Sequence, residues 1–294
     1  VKIQTRAYLY MHIAVLLWSF TAILGKAITL TEFVLVWYRM ILTSVILLLI
    51  PGVWKGLRSY GLRALAPLFG IGAIVSLHWV AFYGSIKYTN ASVAVACIGT
   101  SSLFAALLEP ILLKTSFRKP DLILGGGMLV AIYLVSEASP EGYAFGIGLG
   151  ILSSLLAALF SILNKRYAAE FPAMLFTFSE MAGGWIFLSL MLPFYIHFMP
   201  DAFVWPDQNN WIYLALLAFF CTVVPFSLNI IALRHVSAFT SVFLVNLEPL
   251  YTFALAAFIF KEHQQLSINF YLGALLMVVC VLIHAYLVRR GKMN

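Results

Sequence analysis

The sequence predicts an all-α integral membrane protein: ten transmembrane helices arranged as two inverted five-helix repeats around a central cavity. Three observations predict it. Hydrophobic residues make up 63% of the 294 residues and charged residues 10%, against roughly 45–50% and 25% in soluble domains, and the mean hydropathy is +0.99. Apolar runs of spanning length recur along the whole chain, each near the roughly 20 residues that a bilayer core requires. The order of helix breaks and charges repeats between the two halves. A soluble enzyme, a disulfide scaffold and a disordered chain are excluded by composition alone.

The spans fall at roughly 9–29, 32–54, 64–86, 91–113, 120–137, 143–164, 172–199, 211–233, 239–260 and 268–288. Short polar separators join them, such as Thr29–Glu32, Lys55–Arg63 and Asp201–Asn210. They leave no room for a soluble domain between spans, and the runs are continuous where a β-barrel strand would alternate. The first run is too long for a signal-peptide core and lacks a cleavage signature. Cys97, Cys221 and Cys280 lie within apolar runs, without metal spacing, and read as small core residues.

The net charge of +7 is a topology signal and not a nucleic-acid one. With both termini cytoplasmic, fourteen of the eighteen Lys and Arg lie in inner segments, three in outer loops and Arg39 inside a span, as the positive-inside rule requires.

The repeat shows at an offset of 147 residues: Ala91 meets Ala238, Val95 meets Val242, Leu103 meets Leu250, Lys114 meets Lys261 and Gly126 meets Gly273. A unit of five spans places its second copy upside down, which divides the chain into 1–142 and 143–294. In inverted-repeat membrane proteins the ligand site lies near the midplane, between the copies.

Four formally charged residues lie inside spans: Arg39, Glu109, Glu180 and Glu248. Each costs roughly 2.5–3.5 kcal/mol at the centre of a helix on insertion scales, so such residues face cavities or pair with one another. Glu248 sits near mid-depth of the ninth span, followed by Pro249, a predicted kink that frees a carbonyl. It reads as a cavity carboxylate for a cationic group or a proton, or as a structural partner of Arg39. Arg39 holds a carboxylate, neutralises Glu248 or Glu180, or snorkels outward. Glu180 is the approximate repeat counterpart of Arg39. Glu109, near the end of the fourth span, reads as an interface ion pair with Lys114. Thr222, Pro225 and Asn229 share a face of the eighth span, where Pro225 predicts a kink that frees the Cys221 carbonyl. His78, Trp79 and Tyr83 cluster in the third span, and Asn246 precedes Glu248. The candidate site is therefore Arg39, His78, Trp79, Tyr83, Asn229, Asn246 and Glu248, with Glu248 and His78 as candidate proton carriers. No catalytic or metal-ligating constellation is present. Trp37, Tyr38 and Trp185 lie at depths where they can wall the same site or pack helices. Gly142, Gly146, Gly150, Ser154 and Ala158 form a small-residue ridge for close helix contact, and Gly125–Gly127 read the same way.

The stretches "LLWSFTAILGKAI" and "WYR" near the start, and "VFLVNLEPLYTFALAAFIFKEHQQ" near the end, resemble the drug/metabolite transporter superfamily and within it the EamA-like family of ten-span transporters. The first half departs from that pattern: "SSLFAALLEPILLKTSFRK" lacks the Glu expected after its fourth span. The resemblance implies a two-half basket in a bacterial inner membrane, with a small-molecule substrate and no cofactor, as a monomer or a homodimer. It implies secondary transport by alternating access, with export of amino acids or related metabolites, or of a quaternary amine, organic cation or drug. A lipid flippase is a further reading; an intramembrane enzyme lacks the required motifs.

Overall fold

The computed structural model describes residues 3–137, 142–248, 251–252, 255 and 268–289, and every regular element among them is helical. In chain order these are α1 (Ile3–Ala27), α2 (Glu32–Leu48), α3 (Pro51–Tyr88), α4 (Ala91–Ile98), α5 (Ser101–Leu113), α6 (Lys119–Glu137), α7 (Ala144–Tyr167), α8 (Ala173–Phe198), α9 (Gln208–Ala218), α10 (Val224–Leu233), α11 (Ala238–Val245) and α12 (Ile268–Arg289). A π-helical turn, Phe219–Val223, joins α9 to α10. Among the described residues six stretches are long and apolar enough to cross a membrane: α1, α3, α4 with α5, α7, α8, and α9 with α10. The chain is a multi-pass membrane protein.

The second predicted span is corrected. The run 32–54 is not one helix: α2 stops at Leu48, and Pro51 opens α3. Proline lacks the N–H that a first-turn position leaves unpaired anyway, so it starts a helix as readily as it ends one. Helix α3 then turns sharply at Gly61, whose φ of 71° lies in the region that glycine alone enters at no steric cost. The segment before it carries Lys55 and Arg58.

The two halves interlock. α3 packs between α7 and α8, α1 lies along α10, α6 pairs with α12, and α11 touches α5 and α7. The small-residue ridge of α7 meets α4: a Cβ on Gly150 would lie 2.7 Å from Cys97 Cβ, and the Ser154 hydroxyl donates to the Cys97 carbonyl at 2.7 Å. Gly125 and Gly127 of α6 face Leu103 of α5 and Cys280 of α12. The closest crossing joins α3 and α8, where Gly72 lies against the Glu180 backbone and Gly184 lies against the Gly72 carbonyl.

Two short helices share one design. Asn90 caps α4 by accepting from the Val93 N–H at 2.8 Å, and Ser237 caps α11 by accepting from the Thr240 N–H at 3.0 Å. Each has eight residues and ends in a tight turn, at Gly99–Thr100 in one and Asn246–Leu247 in the other. Every one of these boundaries obeys the 147-residue offset read from the sequence.

Candidate functional site

The broken ends of α4 and α11 open onto a cavity of about 80 Å³ inside the bundle. Its wall takes Trp18 and Thr21 from α1, Arg39 from α2, and His78, Trp79 and Phe82 from α3. Ile98 and Ser101 flank the α4 break, Ala157, Phe160 and Ser161 come from α7, and Phe226 and Asn229 from α10. Ser241, Val242 and Val245 of α11 and Glu248 complete it. Both halves of the chain contribute.

Arg39 is fully buried and its partners among the described residues are neutral. Its Nε–H donates to Thr222 Oγ1 at 2.9 Å, one Nη1–H to the Tyr83 hydroxyl at 2.7 Å, and one Nη2–H to the Cys221 carbonyl at 2.9 Å. The Cys221 carbonyl is available because Pro225, four residues on, has no N–H to give it. The π-helical turn places Thr222 so that its hydroxyl donates to the Leu217 carbonyl at 2.8 Å while accepting from Arg39. One face of the guanidinium lies 3.7 Å from the centre of the Trp79 ring, within cation–π range. A guanidinium has five N–H groups; three are spent here and two remain.

Glu248 is 6% exposed and lies on the same wall. Among the described residues nothing hydrogen-bonds its carboxylate and no ion pair joins it to Arg39. Asn229 Oδ1 accepts from the Ser241 hydroxyl at 2.9 Å, tying α10 to α11. Nδ1 of His78 lies 2.8 Å from the Ser153 carbonyl oxygen, which a proton on Nδ1 satisfies, and the Ser153 hydroxyl donates to the His78 carbonyl at 3.1 Å. Around these groups stand aromatic rings: Phe226 meets Trp18 at 5.7 Å and Trp79 at 5.4 Å, both edge to face.

The structure thus brings Arg39, His78, Trp79, Asn229 and Glu248 to one wall. Tyr83 and Asn246 do not line it. Tyr83 stands behind Arg39 as a hydrogen-bond acceptor, and Asn246 is buried at the end of α11 with its side-chain amide unpaired among the described residues. Pro225 does mark a change of helix type, while Pro249 lies outside the described residues. Glu180 and Arg39 do not pair. Trp37, Tyr38 and Trp185 belong to a separate aromatic cluster with Phe203, Trp205 and Trp211.

Glu109 is the residue that sequence reasoning misplaced. It does not pair with Lys114, which adopts a left-handed conformation and ends α5. Its two carboxylate oxygens instead accept from the backbone N–H groups of Ala238 at 3.1 Å and Phe239 at 2.6 Å, at the first turn of α11. The unpaired donors of a helix start and its dipole both favour a carboxylate there. On this side of α11 opens a second, wider space of about 920 Å³, lined by Tyr8, His12, Glu109, Arg118, Lys165, Arg234, Ser237, Thr240 and Leu244, among others. α11 is therefore a partition. Ser241, Val242 and Val245 face the inner cavity, and Ser237, Thr240 and Leu244 face the basic vestibule.

Comparison with known proteins decides the family. The model of the EamA-like transporter family matches twice, over residues 5–137 and 144–286. The chain belongs to the EamA-like transporter family. The family is described as one of transporters. A protein of Helicobacter pylori (strain J99) described as an uncharacterized transporter is 29% identical over 168 residues, covering 54% of this chain and 55% of that one. The match thus spans about half the length of either protein. A solved crystal structure at 18% identity superposes with a TM-score of 0.69, covering 98% of this chain and 99% of the other; the likeness concerns the fold.

Proposed function

We propose that this EamA-family chain is a secondary transporter that exports amino acids or related zwitterionic metabolites from the cytoplasm across the bacterial inner membrane, by alternating access between two inverted five-helix repeats. The shared offset of α4 and α11, and the division of the family match into two halves, support ten spans in two repeats. The excess of basic residues on one side supports cytoplasmic termini, and the vestibule then opens to the cytoplasm.

The observation that carries the substrate class is the cavity's two formal charges. Arg39 is held in place with two N–H groups left over, and Glu248 stands on the same wall without a hydrogen bond among the described residues. Bidentate pairing with guanidinium suits a substrate carboxylate, and Glu248 suits an ammonium group. The rings of Trp18, Phe160 and Phe226 contact an apolar side chain. A quaternary amine is served less well, because one face of Trp79 is already covered by Arg39.

In the transport cycle α11 is the inner gate. Substrate enters the vestibule, α11 swings from its seat on Glu109 and on the Ser241–Asn229 bond, and the substrate settles between Arg39 and Glu248. On the other side Thr29 donates its N–H to Asn210 Oδ1 at 3.0 Å and Tyr195 donates to Thr31 at 3.0 Å. These contacts join α1 and α2 to α8 and α9 and must part for release. The test is flux of labelled amino acids into liposomes containing the purified protein. Saturable exchange that is lost in Arg39→Ala is the expected result. No flux across an amino-acid panel, with saturable flux of choline or betaine abolished by Glu248→Gln, would move the substrate to the cation class.

A further inference from the structure

Helix α8 buries Glu180 completely, behind the cavity wall and not on it. Among the described residues both of its carboxyl oxygens lack a hydrogen bond of good geometry, and so do both side-chain heteroatoms of Asn164 on α7, which is equally buried. The two side chains face one another. From the other elements packed on α8 no charged or titratable side chain reaches Glu180 among the described residues. Arg39 of α2 is turned to Thr222 and Cys221. His78 of α3 is engaged with Ser153. On α10, Ser227 lies 3.4 Å from Thr177, one turn from Glu180 along α8. Lys165, next to Asn164, reaches away to the Leu233 carbonyl at 2.6 Å.

An ionised carboxylate in this position has neither a cation nor a sufficient set of donors, and such a group does not stay charged when buried. One proton resolves all four atoms together. A carboxylic acid donates its O–H to Asn164 Oδ1, and the amide returns an N–H to the other carboxyl oxygen. Ser161, one turn before Asn164 on the same helix, opens onto the cavity. Asn164 therefore stands one helical turn from a residue that lines the cavity.

We propose that Glu180 and Asn164 form a proton-binding site that exchanges with the cavity past Ser161 and couples proton movement to transport. Release breaks the Glu180 O–H bond, leaves a carboxylate and hands the proton to water in the cavity; loading reverses the step. The coupling role rests on the transport reading above, whereas the binding of the proton does not.

Two measurements on the full chain in lipid vesicles separate these statements. Infrared spectra at neutral pH are expected to show the carbonyl stretch of a protonated carboxylic acid that is absent in Glu180→Gln, present in Glu109→Gln and Glu248→Gln, and shifted in Asn164→Ala. A spectrum in that region unchanged by Glu180→Gln overturns the site. In the second measurement, an imposed pH gradient is expected to accelerate flux of labelled L-amino acids several-fold in the natural chain. In Glu180→Gln it has no effect, while exchange at equal pH persists. Acceleration retained in Glu180→Gln overturns the coupling role. If no amino acid moves in the natural chain, the substrate reading of the previous section fails and the infrared result still decides the proton site.

Discussion

Helices α2 and α8 each carry one ionisable residue at their eighth position, Arg39 and Glu180, and both side chains are fully buried. Their surroundings are opposites. Arg39 has three acceptors and an indole face; Glu180 has an amide with which it makes no well-formed bond. The difference lies in the helices they meet. Arg39 faces the segment where Pro225 and the π-helical turn release a carbonyl and a hydroxyl, so the backbone itself receives the charge. The Glu180 backbone lies against Gly72 at the glycine-lined crossing of α3, and its side chain meets the Asn164 amide of α7. Two buried charges at the same position of their helices thus sit in different surroundings, and on the proposals above one presents a cation to a ligand while the other is held as a neutral acid.

The comparison breaks first at Arg39. On the proposed reading, replacing it by Ala removes two charge-assisted hydrogen bonds to substrate, each worth roughly 1.5–3 kcal/mol, and substrate affinity is expected to fall by on the order of 100-fold or more. Arg39→Lys keeps the charge without the fork and recovers part of the loss. Binding of labelled amino acid to purified protein measures both; an unchanged affinity in Arg39→Ala would remove Arg39 from the site.

Thermal unfolding in detergent sharpens the same contrast. Arg39→Met strands the acceptors Thr222, Tyr83 and Cys221, and breaking such a buried charged network costs about 3–5 kcal/mol. Glu180→Gln keeps the shape of a neutral acid and can pair with Asn164 through amides, so it is expected to change stability by less than about 1 kcal/mol. Equal destabilisation by the two would show that Glu180 is a structural charge.

Much of this contrast was legible in the chain itself. Arg39, Glu180 and Glu248 stand out because they interrupt apolar runs, and membrane burial makes any such interruption costly. Pro225 announced the free Cys221 carbonyl by simple counting, although not that Arg39 would take it. The 147-residue offset relates the boundaries of α11 to those of α4, although the breaks after Ile98 and Val245 lie inside stretches that read as single spans. What remained hidden depends on contacts distant in sequence. Glu109 has Lys114 a little over one turn away and finds its true partners 129 and 130 residues on, which no local spacing encodes. The π-helical turn adds one residue to a helix that otherwise reads as regular. Gly72, Gly183 and Gly184 carry no periodic ridge, so the closest crossing in the fold left no pattern to read.

That crossing gives the next prediction. A Cβ on Gly72 would press into the Glu180 backbone, and both α3 and α8 would have to shift. Overpacking of this kind costs typically 1–3 kcal/mol. Gly72→Ala is expected to lower thermal stability by that amount and to disturb Glu180 more than Arg39. Gly72 touches the Glu180 backbone directly, whereas two of Arg39's three hydrogen-bond partners lie on the π-helical turn and its α3 partners, Trp79 and Tyr83, stand further along that helix. The readout is the melting temperature together with substrate affinity. A larger effect on affinity than on stability would mean that the two buried sites are not separable.

Glu109 supplies the intermediate case, and the smallest effect. Its carboxylate is only half-buried where that of Glu180 is fully buried, and it has partners, the first N–H groups of α11. Removing a carboxylate from a helix start costs about 1 kcal/mol, up to roughly 2. The contact exists only while α11 sits against α5, so its loss is expected to act on the position of the partition more than on the fold. In Glu109→Ala the seated form loses that stabilisation, and the unseated population rises by about tenfold for 1.4 kcal/mol. Cysteine placed at Val245, on the cavity side of α11, reports it: alkylation by a membrane-impermeant reagent applied from the vestibule side should quicken by a similar factor. Glu109→Gln, which can accept one N–H bond and not two, should fall between. If alkylation is unchanged while thermal stability drops, Glu109 is a helix cap of the folded bundle and α11 is not the moving part.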